Sequence, residues 1–375
     1  MEFRDLKRQY QTLSKKIDYA ISQVIENTDF ISGEKVHELE NQLAEYVGVK
    51  NCITCANGTD ALVLALMTWG IKEGDAVFVP DFTFFSSAEC ISICGATPVF
   101  VDVEKDTFNI SVSCLEDAIN IVLKEGKLKP KVIIAVDLFG QPANYNKIRK
   151  IADKYGLLVL EDGAQGFGGS IEKRKACSFG DISTTSFFPA KPLGCYGDGG
   201  AVFTDNNEWA EIIRSLCVHG KGRDKYDNVR IGMNSRLDTI QAAILQVKLK
   251  HFVDFELEQV NKVAIWYREK LGNSIFFPNV IEGFYSSWAQ YTIVCKDSEE
   301  REQIRGVLQN HHIPSMIYYA KGMHEQRAFD GKCIMIGNYE NTVFLSRRVL
   351  SLPMHPYLRQ EEVAYIAQQI RESVK

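Results

Sequence analysis

Apolar residues recur at helical spacing from about Leu6 to Ile25, through Leu13, Ile17, Ile21 and Val24, and again from Val36 to Val47, which predicts two opening helices. Between them Asp29-Phe30-Ile31-Ser32-Gly33 is irregular, and its apolar residues are expected to pack against the fold rather than touch a ligand. From Asn51 onward the pattern changes. Short apolar runs at Asn51 to Ala56, Ala76 to Val79, Pro98 to Asp102, Val132 to Val136 and Leu157 to Leu160 read as strands, and stretches such as Ala61 to Leu66 and Tyr145 to Tyr155 between them carry the helical period. This alternation predicts an α/β fold, with an open, mostly parallel sheet flanked by helices and ligands held beyond the carboxyl ends of the strands.

Two further strands are predicted at Ile182 to Phe188 and Ala201 to Thr204, then a helix over Trp209 to Val218. A long amphipathic helix follows through Ile240, Ala243, Ile244, Val247 and Leu249, and is expected to join two domains. Signals then mix: a strand at Tyr291 to Cys295, a helix around Glu302 to Gln309, and a last helix from about Glu361. A chain of 375 residues exceeds what one core usually holds, so the expected division is a large domain over 1–250 and a smaller α+β domain over 251–375. Tyr318-Tyr319 and Ser351 to Pro356 read as loops within reach of a site.

Charge narrows the function. Charged residues make up 24% and the net charge is -5, which supplies no large positive field for nucleic acid or an anionic membrane. The apolar runs are too short to span a bilayer, and Met1 to Arg8 lacks the apolar core of a secretory signal, so a cytoplasmic protein is expected. Ten cysteines then read as reduced and mostly buried; Cys52 and Cys55 have CxxC spacing but stand in a strand-like run. No HExxH or spaced histidine set occurs, and no metal is expected.

The chemistry centres on Ser186-Phe187-Phe188-Pro189-Ala190-Lys191-Pro192, which runs into Gly194 to Gly200. Pro192 pushes Lys191 away from helical backbone, so its amine is presented from a loop. A lysine amine does what a solvated charge does not when it attacks a carbonyl, which requires desolvation and a lowered pKa. Two other groups are expected at the same sheet edge. Asn57-Gly58-Thr59-Asp60 opens a helix and offers unpaired N–H groups to an anion, although by itself it reads equally as a plain cap by the Thr59 hydroxyl. Asp162 and Gln165 follow the strand at Leu157, and Asp162 taken alone suits a helix cap or an arginine pair as well. The basic loop His219 to Lys225 could grip phosphate or be a solvated charge run.

In order and spacing, Asn57-Gly58-Thr59-Asp60-Ala61-Leu62, Glu161-Asp162-Gly163-Ala164-Gln165, Ser186 to Lys191 with Gly197-Asp198-Gly199-Gly200, and Asn234-Ser235-Arg236-Leu237-Asp238 together resemble the DegT/DnrJ/EryC1/StrS family of pyridoxal 5'-phosphate (PLP)-dependent sugar aminotransferases. The resemblance spans almost the whole chain. It implies the aspartate-aminotransferase-like (type I PLP) fold and a homodimer with shared active sites. It also implies that Lys191 bonds covalently to PLP, Asp162 pairs with the pyridinium nitrogen, Gln165 lies by the phenolic oxygen and Phe84 stacks on the ring. Gly58, Thr59 and Ser186 are implied to hold the phosphate, with Asn234 reaching in from the partner subunit. The implied reaction moves an amino group from L-glutamate to a keto group of a nucleotide-linked hexose for surface polysaccharide or glycan amino-sugar synthesis.

The resemblance is nearest to enzymes of UDP-linked 3-keto sugars, including the 3-oxo-glucuronate type, in which Arg236 would meet a sugar carboxylate. Tyr318-Tyr319-Ala320 stands where that type has His-Tyr-Pro, a departure that bears on uronate recognition and regiochemistry; Tyr318 and Tyr319 are expected to contact substrate. Gly163 and Gly166 stand where alanine and serine are common, and are expected to loosen the packing near the ring. The alternatives are a C-4 keto-sugar aminotransferase, a non-catalytic PLP-binding regulatory protein, and a doubly wound protein without PLP.

Overall fold

The structure, a computed structural model, describes residues 1–224, 226–272 and 275–374. Helices α1 (Leu6–Asn27) and α2 (Glu34–Val47) form where the period predicts them, and Asp5 caps α1 by accepting the Arg8 N–H. Then β1 (Asn51–Cys55), α3 (Gly58–Thr68), β2 (Asp75–Pro80), α4 (Ser86–Ile93), β3 (Thr97–Val101), α5 (Val112–Glu125), β4 (Lys129–Val136), α6 (Tyr145–Tyr155) and β5 (Leu158–Asp162) alternate. After a side hairpin of β6 (Ser170–Ile171) and β7 (Arg174–Lys175) come β8 (Ile182–Ser186), β9 (Gly200–Thr204) and α7 (Asn207–Leu216). The rest comprises α8 (Thr239–His251), α9 (Leu257–Leu271), β10 (Phe284–Tyr285), β11 (Tyr291–Val294), α10 (Ser298–Asn310), β12 (Ile334–Met335), α11 (Glu340–Ser346), β13 (Val349–Leu352) and α12 (Gln360–Ser373).

Among the described residues the main sheet has eight strands in the order β1-β9-β8-β5-β4-β2-β3-β12. From β8 to β12 the strands are parallel, and β9 runs against both of its neighbours. One face packs on α3, α4 and α7 through residues such as Leu62, Leu66, Val79 and Ile213, and the other on α5 and α6 through Phe78, Ile133, Leu115 and Ile148. Burial on both faces is why β2 and β4 read as continuous apolar runs and not as alternating ones. Register then sets the active edge: Val136 lies beside Asp162, and Ser186 and Cys55 both lie opposite Gly200. Cys52 and Cys55 are buried on β1, and burial pushes both thiols up.

Beyond α8, the two-stranded sheet β11-β13 is covered by α9, α10 and α12 in a cluster containing Tyr267, Ile293, Ile304, Leu350 and Ile366. Strand β12, late in the chain, adds to the edge of the main sheet beside β3.

Three expectations change. Helix α8 has no simple wet face: Ile244 packs with Leu13 and Ile17, Leu245 and Leu249 join the other core, and Lys248 is buried with its Nζ 5.0 Å over the Tyr196 ring. Burial pulls the Lys248 ammonium down to about 8. Phe30 and Ile31 do not pack into the fold, being 44% and 49% exposed. Ser351 and Leu352 end strand β13, and the segment through His355 is buried instead of looping over the site. Among the described residues no helix is long and apolar enough to cross a membrane.

Candidate active site

A cavity of about 510 Å³ opens at the carboxyl edge of the main sheet, lined by Gly58, Thr59, Phe84, Asp162, Gln165, Ser186, Lys191, Tyr318 and Tyr319, with Ser87 and Gln290 among its other walls. Residues more than 250 positions apart thus meet in one place.

At one end is the first turn of α3. Asn57, not Thr59, caps it, with Oδ1 accepting the Asp60 N–H at 2.8 Å. The Thr59 hydroxyl is instead 2.8 Å from Ser86 Oγ. A Cβ on Gly58 would stand 2.7 Å from Ser186 Cβ, so glycine is what lets the helix start come against the end of β8. The result is a positive helix terminus with the Ser86 and Ser186 hydroxyls beside it, suited to an anion.

Asp162 ends β5 and lies on the cavity wall, buried. Among the described residues it neither caps a helix nor pairs with arginine. Ser87 Oγ donates to its Oδ2 at 2.7 Å and the Ala164 N–H to its Oδ1 at 3.2 Å. Thr83 Oγ1, 3.1 Å from Ser87 Oγ, extends the chain of hydroxyls. Gln165 is oriented from both sides: its Oε1 accepts the Phe139 N–H at 2.8 Å, and its Nε2 donates to the Tyr319 hydroxyl at 3.2 Å. Burial pushes the Tyr319 phenol up, so it stays protonated. Phe84, half exposed, stands at the mouth with its ring 6.3 Å from that of Tyr319.

Lys191 projects into the same space from the loop after β8. Burial lowers its pKa from the usual lysine value, and the Asp162 carboxylate opposes that shift only in part. A lysine so placed is a better nucleophile at neutral pH than an exposed one.

Asn234 and Arg236 do not line this cavity. Arg236 Nη2 donates to Asn234 Oδ1 at 2.7 Å, Asn234 is exposed, and the segment is anchored by the buried Ser235, whose Oγ accepts the Ala56 N–H. The basic loop after α7 is also elsewhere: Lys221 and Arg223 are exposed around a surface hollow, and Lys225 lies outside the described residues. A second cavity, about 470 Å³, sits at the opposite ends of the strands, where Arg149 is paired with Asp181 at 3.1 Å.

Gly163 and Gly166 tighten the site and do not loosen it. A Cβ on Gly163 would lie 2.6 Å from Cys177 Sγ, and one on Gly166 2.3 Å from Asp137 Oδ2. Ser87 was not visible as a site residue beforehand, because a serine at the start of an ordinary helix carries no signal. Only the packing of α4 on α3, β2 and β3 sets its hydroxyl against Asp162 at the end of β5.

Residues 11–371 match the model of the DegT/DnrJ/EryC1/StrS aminotransferase family. The chain is 42% identical to UDP-2-acetamido-2-deoxy-3-oxo-D-glucuronate aminotransferase of Pseudomonas aeruginosa, over 98% of each chain. It is 38% identical to UDP-N-acetyl-3-dehydro-alpha-D-glucosamine 3-aminotransferase of Acidithiobacillus ferrooxidans, over 99% of this chain and 97% of that one. A crystal structure of a DegT DnrJ EryC1 StrS aminotransferase from Brucella abortus superposes with a TM-score of 0.96 at 48% identity, covering 99% of both chains.

Proposed function

Because the chain belongs to the DegT/DnrJ/EryC1/StrS aminotransferase family, we propose that it moves an amino group from L-glutamate to the C-3 keto group of a UDP-linked hexose, with PLP as cofactor. The observation that carries this reading is the meeting of Lys191, Asp162 and the α3 terminus with Ser186 around one cavity. The donor set suits PLP: a helix start with hydroxyls for a phosphate, a buried carboxylate for a protonated ring nitrogen, and a desolvated amine for an aldehyde.

Gly58, Thr59 and Ser186 would hold the phosphate. Asp162, itself fixed by Ser87 and the Ala164 N–H, keeps a proton on the ring nitrogen. Gln165, whose Nε2 also donates to the Tyr319 hydroxyl, would lie by the phenolic oxygen, and Phe84 would cover a face of the ring. When bound, the cofactor supplies an electron sink that makes the donor's α-proton acidic. Lys191 Nζ would hold the cofactor through its aldehyde and, once freed by the donor amine, would be the base that takes the donor's α-proton and the acid that returns it, while water supplies the keto oxygen with which glutamate leaves as 2-oxoglutarate and the amino group is retained for the sugar. With the keto sugar the same amine moves the proton back. Tyr318 and Tyr319 face the sugar.

The working unit is a cytoplasmic homodimer, in which Asn234 and Arg236 complete the cavity of the other copy and Arg236 meets a sugar carboxylate. The half-exposed Phe30, Ile31 and Phe188 support burial of apolar surface against a second copy. The chain divides into a large domain, 1–250, and a smaller one, 251–375.

The test is the absorbance of PLP-loaded protein before and after L-glutamate, then after UDP-linked 3-keto sugars with and without a carboxylate. The band of lysine-bound cofactor should disappear with glutamate and return with the accepted sugar. Lys191→Ala should abolish turnover by at least about 10³-fold, and a near-native rate in that variant refutes the assignment.

A further inference from the structure

Lys191 lies on neither helix nor strand, so the position of its amine depends on how its own peptide is held. The N–H side is held within the loop, where Lys191 N–H donates to Phe188 O at 2.8 Å. The carbonyl side is held from 187 residues away: Arg4 Nη2 donates to Lys191 O at 2.8 Å and to Pro192 O at 3.2 Å. Pro192 has no N–H, so the next peptide offers no donor of its own to fix the turn.

Arg4 stands on a tied segment. Phe3 O accepts the Met354 N–H at 3.1 Å, and the Phe3 ring meets the ring of the cavity residue Tyr318 edge-on at 6.1 Å. Four residues on, the Arg8 guanidinium forks onto the Glu362 carboxylate at 2.9 and 3.1 Å and donates to Tyr357 O at 2.9 Å. The buried Glu256 beside this segment accepts from Gln9 Nε2 at 2.7 Å and from the Tyr357 hydroxyl at 2.6 Å. The guanidinium of Arg4 therefore projects from a base with little freedom, bound to the C-terminal segment on one side and to the lysine loop on the other.

We propose that Arg4 is a positioning residue for Lys191: its guanidinium fixes the Lys191 and Pro192 carbonyls, so that the freed amine stays within reach of the proton it moves. This rests on the reading of Lys191 as nucleophile and acid/base. During turnover the amine is released from its covalent partner, and four rotatable side-chain bonds then separate it from the only part of the residue still held. A misplacement of about 1 Å at that stage costs up to about 10²-fold in rate. The arrangement depends on the reach of arginine as well as its charge: Nη2 alone serves both successive carbonyls, and a lysine, one atom shorter, would not bring its ammonium up to both.

The experiment compares full-length wild type with Arg4→Met, Arg4→Lys and, as a control for the segment alone, Arg8→Met. The readouts are thermal stability, the rate at which added PLP forms the lysine-bound absorbance band, and kcat and KM for both substrates. In Arg4→Met, band formation and kcat should fall together by about tenfold or more while both KM values stay within about twofold; Arg4→Lys should recover part of the loss, and Arg8→Met should lose stability without this kinetic signature. Band formation and kcat within about twofold of wild type in Arg4→Met overturn the proposal, as does an equal slowing in Arg8→Met. If Arg4→Met does not fold, Arg4→Lys decides alone, and wild-type rates in it overturn the proposal. A wild type that forms no lysine-bound band with PLP refutes the cofactor reading itself, and this proposal with it.

Discussion

Gly163→Ala is the most direct probe of how the site edge is packed. Gly163 follows Asp162, and its N–H donates to Thr184 O at 2.9 Å, so β5 and β8 cannot part there without losing that bond. The added methyl would lie 2.6 Å from Cys177 Sγ and 3.0 Å from Thr184 O. Cys177 is fully buried and its N–H is taken by Glu161 Oε1, so only its sulfur has freedom to move. Overpacking of this kind costs about 1–3 kcal/mol. Cys177→Ala removes the sulfur and should cost roughly 1 kcal/mol in lost buried surface. In the double variant the new methyl occupies the vacated space, so its total loss should be close to that of Cys177→Ala alone, a coupling of about 1–3 kcal/mol. Urea unfolding of the four proteins at one fixed PLP concentration measures this, because bound ligand shifts apparent stability. A double variant whose losses add within about 0.5 kcal/mol, or a Gly163→Ala as stable as wild type, would refute the crowding argument.

Ser87→Ala removes the 2.7 Å donor to Asp162 Oδ2, a hydrogen bond to a charged group worth about 1.5–3 kcal/mol. PLP affinity measured by titration should fall by about tenfold or more, and unchanged affinity would mean that Ala164 N–H alone holds the carboxylate. Glu362 bears on pH: chiefly through its hydrogen bonds from Arg8, its carboxyl is lowered to about 2. A depressed carboxyl contributes stability above its unfolded pKa and loses it as pH falls towards the folded value. Solvent screening at this site limits the effect to roughly 1 kcal/mol. The stability gap between wild type and Glu362→Gln should therefore shrink between about pH 5 and pH 2, and a constant gap would remove the ion pair as its cause.

Much of the fold was legible because it is encoded locally. Helical period marked α1, α2 and α6, and the apolar runs of β2, β4 and β5, buried on both faces, announced a sheet layered between helices. Strand ends followed by polar residues pointed to Asp162 and to the lysine loop, since parallel strands collect their carboxyl ends on one edge. Lys191 itself stood out through Pro192 and the glycines after it.

What escaped the sequence depends on contacts between residues far apart. Helix α8 has its period, but α1 and α2 cover it from outside, so a face expected to be wet holds Lys248 out of water. The crowding at Gly163 and Gly166 comes from Cys177 and Asp137, and the ties on Asp162 and Lys191 come from Ser87 and Arg4, 75 and 187 residues away. The sequence by itself determined which elements form and which edge carries the chemistry, because periodicity and turn residues act within a few positions. Only the tertiary structure decided what holds each reactive group, because a hydrogen bond across such a separation exists only once the chain has closed on itself.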